Sequence, residues 1–351
     1  MIRLLLAGGI AMAASLIGTR LLVDALTAAK FGQPIHEDVP EGHVTKAGTP
    51  TMGGVAIVLG AVLGYVASHL IATLLEQEGE VVFTRSGIIV MTTIFAAGIV
   101  GLVDDWLKVS NERNLGLNST AKIIGLLSVA IGFAVSMPTF TAIHTEISFT
   151  RVGTLGIQLG TAGWAVWAVV TILASSNAVN LTDGLDGLAA GTAAIAFLGF
   201  TVIGFWAFRN PEIYNTPHAL DLAIVASAML GGAIGFLWWN AAPAQIFMGD
   251  TGSLALGTGL AALALSLNTH LLLPIVGMIF VAEALSVIFQ VASFRLTGNR
   301  IFRMAPIHHH FELKGWPETT VIIRFWILSV LVGGLGLGIF YADYISIGAS
   351  S

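Results

Sequence analysis

Long apolar segments recur along the whole chain, and they constrain the fold more than any other feature. A helix needs about 20 apolar residues to cross the hydrocarbon core of a bilayer. Ten segments of about this length are predicted, near residues 2–25, 51–74, 86–103, 121–138, 162–180, 187–208, 219–240, 251–267, 271–293 and 321–341. Only 10% of the 351 residues are charged, whereas soluble domains carry about 25%. The sequence therefore predicts an all-α polytopic integral membrane protein, with one transmembrane domain over 1–351.

Composition excludes several other classes of function. The net charge is -5, and no basic patch offsets it, which argues against nucleic acid as a partner. The chain has no cysteine, so disulfides and thiolate metal sites are excluded. The mean hydropathy is +0.87, and no stretch of the chain is polar enough to form a soluble domain.

The lysines and arginines predict an orientation, because cytoplasmic loops carry an excess of them. Ten lie in or beside the loops that follow odd-numbered segments, against four on the other face. Both termini are therefore expected to be extracytoplasmic. The cytoplasmic loops would lie near 27–50, 104–120, 177–187, 240–251 and 294–320, and the outer loop near 139–160 has the alternation of a short hairpin.

Two adjacent acids, Asp104 and Asp105, end the third segment. The C-terminal end of a helix carries partial negative charge, so acids there are electrostatically misplaced. Paired carboxylates at a membrane surface suit Mg²⁺ binding or deprotonation of a phosphate-bearing nucleophile. The alternative is a solvated helix end in which Asp104 pairs with Lys108 at i+4.

Amides and acids also recur at a spacing of three, which keeps them on one half of a helix surface. Together they can hydrogen-bond a nucleotide and supply oxygen ligands to Mg²⁺. Gly184 and Gly187 interrupt the set and allow a ligand to approach the backbone. The alternative is an ordinary helix-ending turn. The set is Asn177, Asn180, Asp183 and Asp186.

Asp250 stands between two glycines just before the eighth segment. One carboxylate with substrate phosphates is a usual way to hold Mg²⁺, and a helix start also attracts phosphate. The alternative is a helix N-cap. Asn240 and Phe247 can face the same space, where Phe247 either stacks on a base or anchors the chain at the membrane interface.

Three consecutive histidines, His308, His309 and His310, follow Pro306. Successive side chains diverge, so one metal is not expected to bind all three. Imidazoles can instead donate to phosphate or transfer a proton, unless the loop is simply solvated. Lys46 and Lys122 suit phosphate binding or ordinary membrane anchoring. Glu283, inside the ninth segment, is expected to be paired structurally; its role stays open.

Four stretches together resemble the polyprenyl-phosphate N-acetylhexosamine-1-phosphate transferase superfamily and, within it, the phospho-N-acetylmuramoyl-pentapeptide transferases. The resemblance covers the whole chain, and the histidine stretch separates this family from transferases of N-acetylglucosamine-1-phosphate. The stretches are Lys46–Gly54, Asn177–Gly187, Phe247–Gly252 and Ala305–Glu312.

The resemblance implies a reaction at the cytoplasmic face of the bacterial inner membrane. UDP-N-acetylmuramoyl-pentapeptide donates its phospho-sugar to undecaprenyl phosphate with Mg²⁺, giving lipid I and UMP, in the first membrane step of peptidoglycan synthesis. It also implies a homodimer. The rival functions are N-acetylglucosamine-1-phosphate transfer and, more remotely, transport, in which polar groups lie near the bilayer midplane.

The resemblance further implies roles for individual residues. Asp250 would bind Mg²⁺, with Asn180 as a second ligand, while Asp104 and Asp105 would engage the lipid phosphate. Whether either acts as a base, or whether a covalent intermediate forms, stays open, because a phosphate monoester is already largely ionised at neutral pH. His308 is expected to be catalytic. The substrate-binding residues would be Lys46, Thr51, Lys122, Asn177, Asn180, Asp183, Asp186, Asn240, Phe247, His309 and His310.

Overall fold

A computed structural model of the protein describes residues 1–29, 48–76, 83–110 and 116–348. These parts are almost entirely helical, as the apolar pattern predicts. In chain order the helices are α1 (Ile2–Ala28), α2 (Gly54–Glu76), α3 (Arg85–Ser110), α4 (Ser119–Phe140), α5 (Gly160–Thr182), α6 (Leu188–Arg209), α7 (Pro211–Tyr214), α8 (Ala219–Asn240), α9 (Gly249–Ser266), α10 (Leu273–Val276), α11 (Met278–Thr297), α12 (Ile307–Glu312) and α13 (Glu318–Gly348).

Nine helices within the described ranges are long and apolar enough to cross a membrane, which makes the chain a multi-pass membrane protein. The predicted eighth segment, now α9, is not among the nine, because Asp250 and its glycines, serines and threonines lower its hydropathy. The predicted ninth segment is broken: Gly277 separates the short α10 from α11. The count of ten spans therefore stays a prediction.

Helix α3 continues beyond its predicted end at residue 103 and reaches Ser110. Asp104 and Asp105 consequently lie within the helix and are buried, whereas the sequence analysis placed them at its boundary. The helix tolerates them because Lys108 and backbone N–H groups of neighbouring segments donate to these carboxylates and compensate their charge.

Helix α9 lies at the centre of the fold, and every residue from Asp250 to Ser266 is buried. Small residues let two helices approach its backbone closely. A Cβ at Gly54 of α2 would lie 2.0 Å from the Gly252 nitrogen, and one at Gly101 of α3 would lie 2.2 Å from the Asp250 carbonyl oxygen. These contacts fix the start of α9, and therefore Asp250, against α2 and α3.

The predicted hairpin near 139–160 is present, as strand β1 (Glu146–Ile147) pairs antiparallel with β2 (Ile157–Gln158). Thr150 Oγ1 and Arg151 Nε each donate to Asp343 Oδ2 at 2.9 Å. These bonds tie the hairpin to the last turns of α13, at the helix ends remote from Asp250.

A second buried polar group joins helices at that same remote end. Asp221 Oδ2, at the start of α8, accepts from Tyr65 of α2 at 2.9 Å and from the Thr84 hydroxyl at 2.6 Å. His69 Nε2 lies 3.0 Å from Asp221 Oδ1. These contacts hold α2 and the start of α3 against α8 at this end of the bundle.

Candidate active site

Three acids from two helices converge at one end of the bundle. Asp104 and Asp105 of α3 and Asp250 of α9 each offer a carboxylate oxygen within 4.8 Å of the others. All three are buried. Because like charges brought this close repel, the fold must supply compensating groups around them.

Asp105 obtains its compensation from the start of α9. Its Oδ1 accepts from the Asp250 backbone N–H at 3.0 Å, and its Oδ2 accepts from the Thr251 N–H at 2.9 Å and the Thr251 hydroxyl at 2.7 Å. The first N–H groups of a helix lack partners within the helix. The carboxylate of Asp105, on α3, therefore accepts hydrogen bonds from these N–H groups of α9. Asp250 lies in the first turn of α9, and its own carboxylate bonds other groups.

Asp250 is surrounded by donors. Its Oδ2 accepts from Lys108 Nζ at 3.0 Å and from Lys122 Nζ at 2.5 Å, while its Oδ1 accepts from Asn180 Nδ2 at 2.7 Å. The same Asn180 amide donates to Ser253 Oγ at 2.8 Å. Helices α3, α4, α5 and α9 thus meet at this one carboxylate.

Lys108 contacts all three acids, although the sequence indicated only its contact with Asp104. Its Nζ lies 2.5 Å from Asp104 Oδ2, 3.0 Å from Asp250 Oδ2 and 3.9 Å from Asp105 Oδ1. The predicted i+4 pair with Asp104 is present, but Asp104 is buried rather than solvated. Its spacing of three from Asp105 and four from Asp104 was the available signal, because both acids then share its helix face.

The donor set fits a hard divalent cation. Carboxylate oxygens are protein ligands that Mg²⁺ prefers, and those of Asp104, Asp105 and Asp250 lie together here, with the Asn180 amide nitrogen beside Asp250. Three carboxylates against two ammonium groups leave a formal charge of about -1, which favours a further cation. This acidic cluster can bind a metal.

Asp183 lies on the turn beside the acidic cluster. It caps the C-terminal end of α5. Burial raises the pKa of its carboxyl well above the ordinary value, and the nearby charges of Asp250, Asp105 and Asp186 raise it further, in that order. The turn after α5 therefore lies within electrostatic range of the acidic cluster.

Asp186 and Asn240 hold this turn against the segment that follows α8. Asn240 Oδ1 accepts from the Gly187 N–H at 3.0 Å, and its Nδ2 donates to the Ile246 carbonyl at 2.9 Å. Asp186 Oδ2 accepts from the Ala244 N–H at 2.9 Å. Both side chains are buried, so their predicted contact with a nucleotide stays a prediction.

Thr51 and Phe247 lie on two paired segments. The Phe247 N–H donates to the Pro50 carbonyl at 2.8 Å, and the Gly53 N–H donates to the Phe247 carbonyl at 2.9 Å. Thr51 is buried, and Phe247 is half-buried. The pairing brings the stretch before α2 to the start of α9. Lys46 lies outside the described residues.

Asn177 stands apart from the rest of its predicted set. Its side chain is exposed, and its Nδ2 donates to the Leu173 carbonyl one turn earlier at 2.7 Å. Asn180 and Asp183 lie at the acidic cluster, whereas Asn177 bonds its own helix. Its role in substrate binding stays a prediction.

The three histidines have three different partners. His308 Nδ1 lies 3.1 Å from Glu283 Oε1, and His309 Nδ1 lies 2.7 Å from Glu312 Oε2. His310 Nδ1 accepts from the Arg303 N–H at 3.0 Å. The rings of His308 and His309 nevertheless pack together, with centroids 4.1 Å apart, and the expectation that no single metal binds all three stays a prediction.

Known proteins are similar to this chain over almost its whole length. The sequence model of glycosyl transferase family 4 matches residues 87–268, and signature 1 of the phospho-N-acetylmuramoyl-pentapeptide-transferases matches residues 46–58. Similar proteins named phospho-N-acetylmuramoyl-pentapeptide-transferase occur in Saccharopolyspora erythraea and Mycobacterium sp. (strain KMS), each 47% identical over 98% of both chains. Another, from Rhodococcus opacus (strain B4), is 46% identical over 98% of both chains.

Proposed function

The chain belongs to the phospho-N-acetylmuramoyl-pentapeptide-transferases of glycosyl transferase family 4, and we propose that it makes lipid I. In this reaction UDP-N-acetylmuramoyl-pentapeptide donates phospho-N-acetylmuramoyl-pentapeptide to undecaprenyl phosphate, and UMP leaves. A phosphate oxygen of the acceptor forms a bond to the sugar-bearing phosphorus, and the bond from that phosphorus to UMP breaks. The proposal places this step at the cytoplasmic face of the bacterial inner membrane.

The observation that carries the proposal is the acidic cluster with its two lysines. An anionic acceptor must approach an anionic diphosphate, so both need compensating positive charge. Lys108 and Lys122 meet at Asp250 Oδ2, and both can turn from this carboxylate to substrate phosphates. Ammonium groups placed where charge develops lower the barrier without reorganisation during the reaction.

Asp250 would hold Mg²⁺ together with Asp104, and Asn180 would be a further ligand. When bound, the ion neutralises phosphate oxygens and stabilises the leaving UMP. The protein's own contribution is to keep these oxygens together: Asp105 bonds the first N–H groups of α9, and the Asn180 amide orients Asp250. The turn from Asp183 to Gly187 borders this cluster and would receive the uridine and diphosphate.

The hydrophobic acceptor accounts for the membrane fold. Undecaprenyl phosphate is a lipid, so its phosphate can reach a protein group only at a bilayer surface. The acidic cluster lies where α3 and α5 end and α4 and α9 begin, so the reacting groups gather at one end of the bundle. This one-sided arrangement also disfavours transport, which needs groups near the midplane.

The decisive experiment measures UMP release from UDP-N-acetylmuramoyl-pentapeptide by the purified full-length protein in detergent. We expect release to require both undecaprenyl phosphate and Mg²⁺, and Asp250→Asn to reduce it by at least about 10²-fold, as loss of a key electrostatic group does. Asp343→Asn, at the remote helix ends, is the matched control and should stay near wild type. Near-wild-type turnover by Asp250→Asn would overturn the metal assignment.

The same assay separates the rival functions. Replacing the donor by UDP-N-acetylglucosamine should stop the reaction, whereas equal turnover with both donors would contradict the muramoyl assignment. Release of UMP without the lipid acceptor would instead favour a covalent or hydrolytic route. Substrate flux into proteoliposomes without UMP release would support the transporter.

A further inference from the structure

Three cationic side chains around α12 form a basic surface that the transfer reaction, as described above, does not use. They are Arg303, Lys314 and Arg324, and all three are exposed. Within the described ranges, none of the three forms an ion pair with an acid; their contacts are with a carbonyl group and with aromatic rings. The basic surface therefore carries positive charge that can attract an anion.

Arg303 and Lys314 meet beside His310. Arg303 Nη1 donates to the Leu313 carbonyl oxygen at 2.5 Å, and the Arg303 N–H donates to His310 Nδ1 at 3.0 Å. Burial lowers the pKa of His310, and the positive charges of Lys314 and Arg303 lower it further, in that order. A guanidinium has five N–H donors, so its one bond to a carbonyl leaves donors for a further acceptor.

A stack of two aromatic rings connects Lys314 to Arg324. Lys314 Nζ lies 5.8 Å from the centroid of the Phe311 ring, and the guanidinium carbon of Arg324 lies 4.1 Å from that of Trp316. The Phe311 and Trp316 rings stack on each other, with centroids 4.6 Å apart. An aromatic face attracts a cation without neutralising it. The rings therefore hold both cations in place and leave their charge for a ligand.

The two acids of the same stretch bond other groups. Glu312 Oε2 lies 2.7 Å from His309 Nδ1, and Glu318 Oε1 accepts from the Asp186 N–H at 3.1 Å. The second of these bonds joins the start of α13 to the Asp183–Gly187 turn. The basic surface and the turn that would receive the nucleotide are therefore neighbours.

The length of the donor's peptide suits this separation. A Cβ built on Gly184, in the turn, would lie 2.5 Å from His308 Nε2, so α12 begins against the turn. Lys314 follows His308 by six residues, which is about 9 Å along a helix. Five extended residues span at most about 17 Å. A donor bound at the turn can therefore place the free end of its pentapeptide on the basic surface.

We propose that the basic surface binds the terminal carboxylate of the donor's pentapeptide. The inference rests on the proposed transfer reaction, which supplies a donor whose peptide is joined to the sugar at its amino end and ends in a carboxylate. The planar guanidinium of arginine matches the two oxygens of a carboxylate. Anionic lipid headgroups are another partner for cations at this face, but their attraction requires neither fixed side chains nor a neighbouring nucleotide site.

The first test compares two donors that differ at one group. The KM for UMP release is measured with UDP-N-acetylmuramoyl-pentapeptide and with the same donor carrying a terminal carboxamide. In wild type, the carboxamide should raise KM about fivefold, which is the upper range for an exposed ion pair. The kcat should stay the same, because a contact made equally in the ground state and the transition state affects KM alone. A wild-type KM that is equal for both donors would overturn the proposal.

Two double variants locate the contact. Arg303→Gln with Lys314→Gln should raise the KM of the carboxylate donor about fivefold, to that of the carboxamide donor. Arg295→Gln with Arg300→Gln is the matched control: it removes two exposed cations of the same loop and should preserve the preference for the carboxylate. An equal loss of preference in both double variants would contradict the assignment. If the first does not fold, Lys314→Gln alone should reduce the preference about twofold, and an unchanged preference would overturn the proposal.

A second readout does not depend on turnover. Equilibrium binding of both donors is measured without undecaprenyl phosphate, in vesicles of phosphatidylcholine and in vesicles that also contain phosphatidylglycerol. The preference for the carboxylate donor should be present in both. Variant effects that are equal for both donors and require phosphatidylglycerol would assign the basic surface to lipid headgroups instead. A preference in binding without any UMP release would leave the basic surface standing and refute the transfer reaction, whereas UMP release without a preference would refute the peptide site alone.

Discussion

Lys108 should be the principal stabiliser of the acidic cluster in the absence of metal, and Lys108→Met tests this. Its Nζ is within 4.0 Å of all three carboxylates, and its side chain is 25% exposed. At an effective dielectric constant of about 20, two unit charges 4 Å apart interact by about 4 kcal/mol. Removing one partner of a buried ion pair costs about 3–5 kcal/mol. Because Lys108 is partly exposed, we expect a loss of about 3 kcal/mol.

The assay is thermal unfolding in detergent at one scan rate, first with chelator and then with excess Mg²⁺. Lys122→Met is the matched control: its described ion pair is with Asp250 alone, so the expected loss is about 1.5 kcal/mol, as for one hydrogen bond to a charged group.

Without Lys108 the cluster has a formal charge of about -2, so it should bind a divalent cation more tightly than wild type does. Excess ligand at about 100 times Kd stabilises a fold by about 2.7 kcal/mol. Mg²⁺ should therefore raise the unfolding midpoint of Lys108→Met more than that of wild type. Lys108→Met and Lys122→Met should not unfold at the same temperature in the presence of chelator. That result, or an equal rise of the unfolding temperature with Mg²⁺ in Lys108→Met and wild type, would refute this reasoning.

Two other predictions concern packing and pH. Gly54→Ala would place a methyl 2.0 Å from the Gly252 nitrogen and should cost about 1–3 kcal/mol, as overpacking does; Gly132→Ala, with no neighbour within 4 Å, should not lower the midpoint. The pKa of Asp183 is raised in the folded protein, so ionisation of this carboxyl lowers the free energy of unfolding above that pKa. The free energy is regained as the pH falls below the pKa and the carboxyl is protonated. Asp183→Asn should accordingly unfold at a higher temperature than wild type at pH 8 and at the same temperature in acid; a difference that grows in acid would contradict this.

The helical architecture could be predicted from sequence because a bilayer leaves few alternatives. A spanning segment must satisfy its backbone internally, so a long apolar run becomes a helix. The prediction was weakest where the environment is protein rather than lipid. Helix α9 is buried among other helices, so it can carry many small and hydroxyl-bearing residues. The extension of α3 to Ser110 likewise depends on tertiary contacts, since its buried acids bond α9.

The site was predictable in its chemistry and less so in its contacts. Acids at helix ends are unusual enough near a membrane to be noticed, and Asp104, Asp105 and Asp250 do converge. The sequence indicated Lys108 only as a partner of Asp104, because its contact with Asp250 joins residues 142 positions apart and leaves no local pattern. No local pattern could reveal that Asp105 completes the start of α9, since the bond joins residues 145 positions apart.

Asp104 and Asp105 are adjacent in sequence but are not equivalent in the fold. Both oxygens of Asp105 bond the start of α9, and a helix start deprived of these acceptors would be left unsatisfied. Asp104 accepts from the Leu117 N–H at 2.9 Å through Oδ1, while its Oδ2 faces Lys108 Nζ at 2.5 Å. A mobile ammonium can be exchanged for a metal ion or drawn to a phosphate, whereas the helix bonds cannot be given up without cost. We therefore assign the acceptor-phosphate role to Asp104, and to Asp105 the task of holding Asp250 in place.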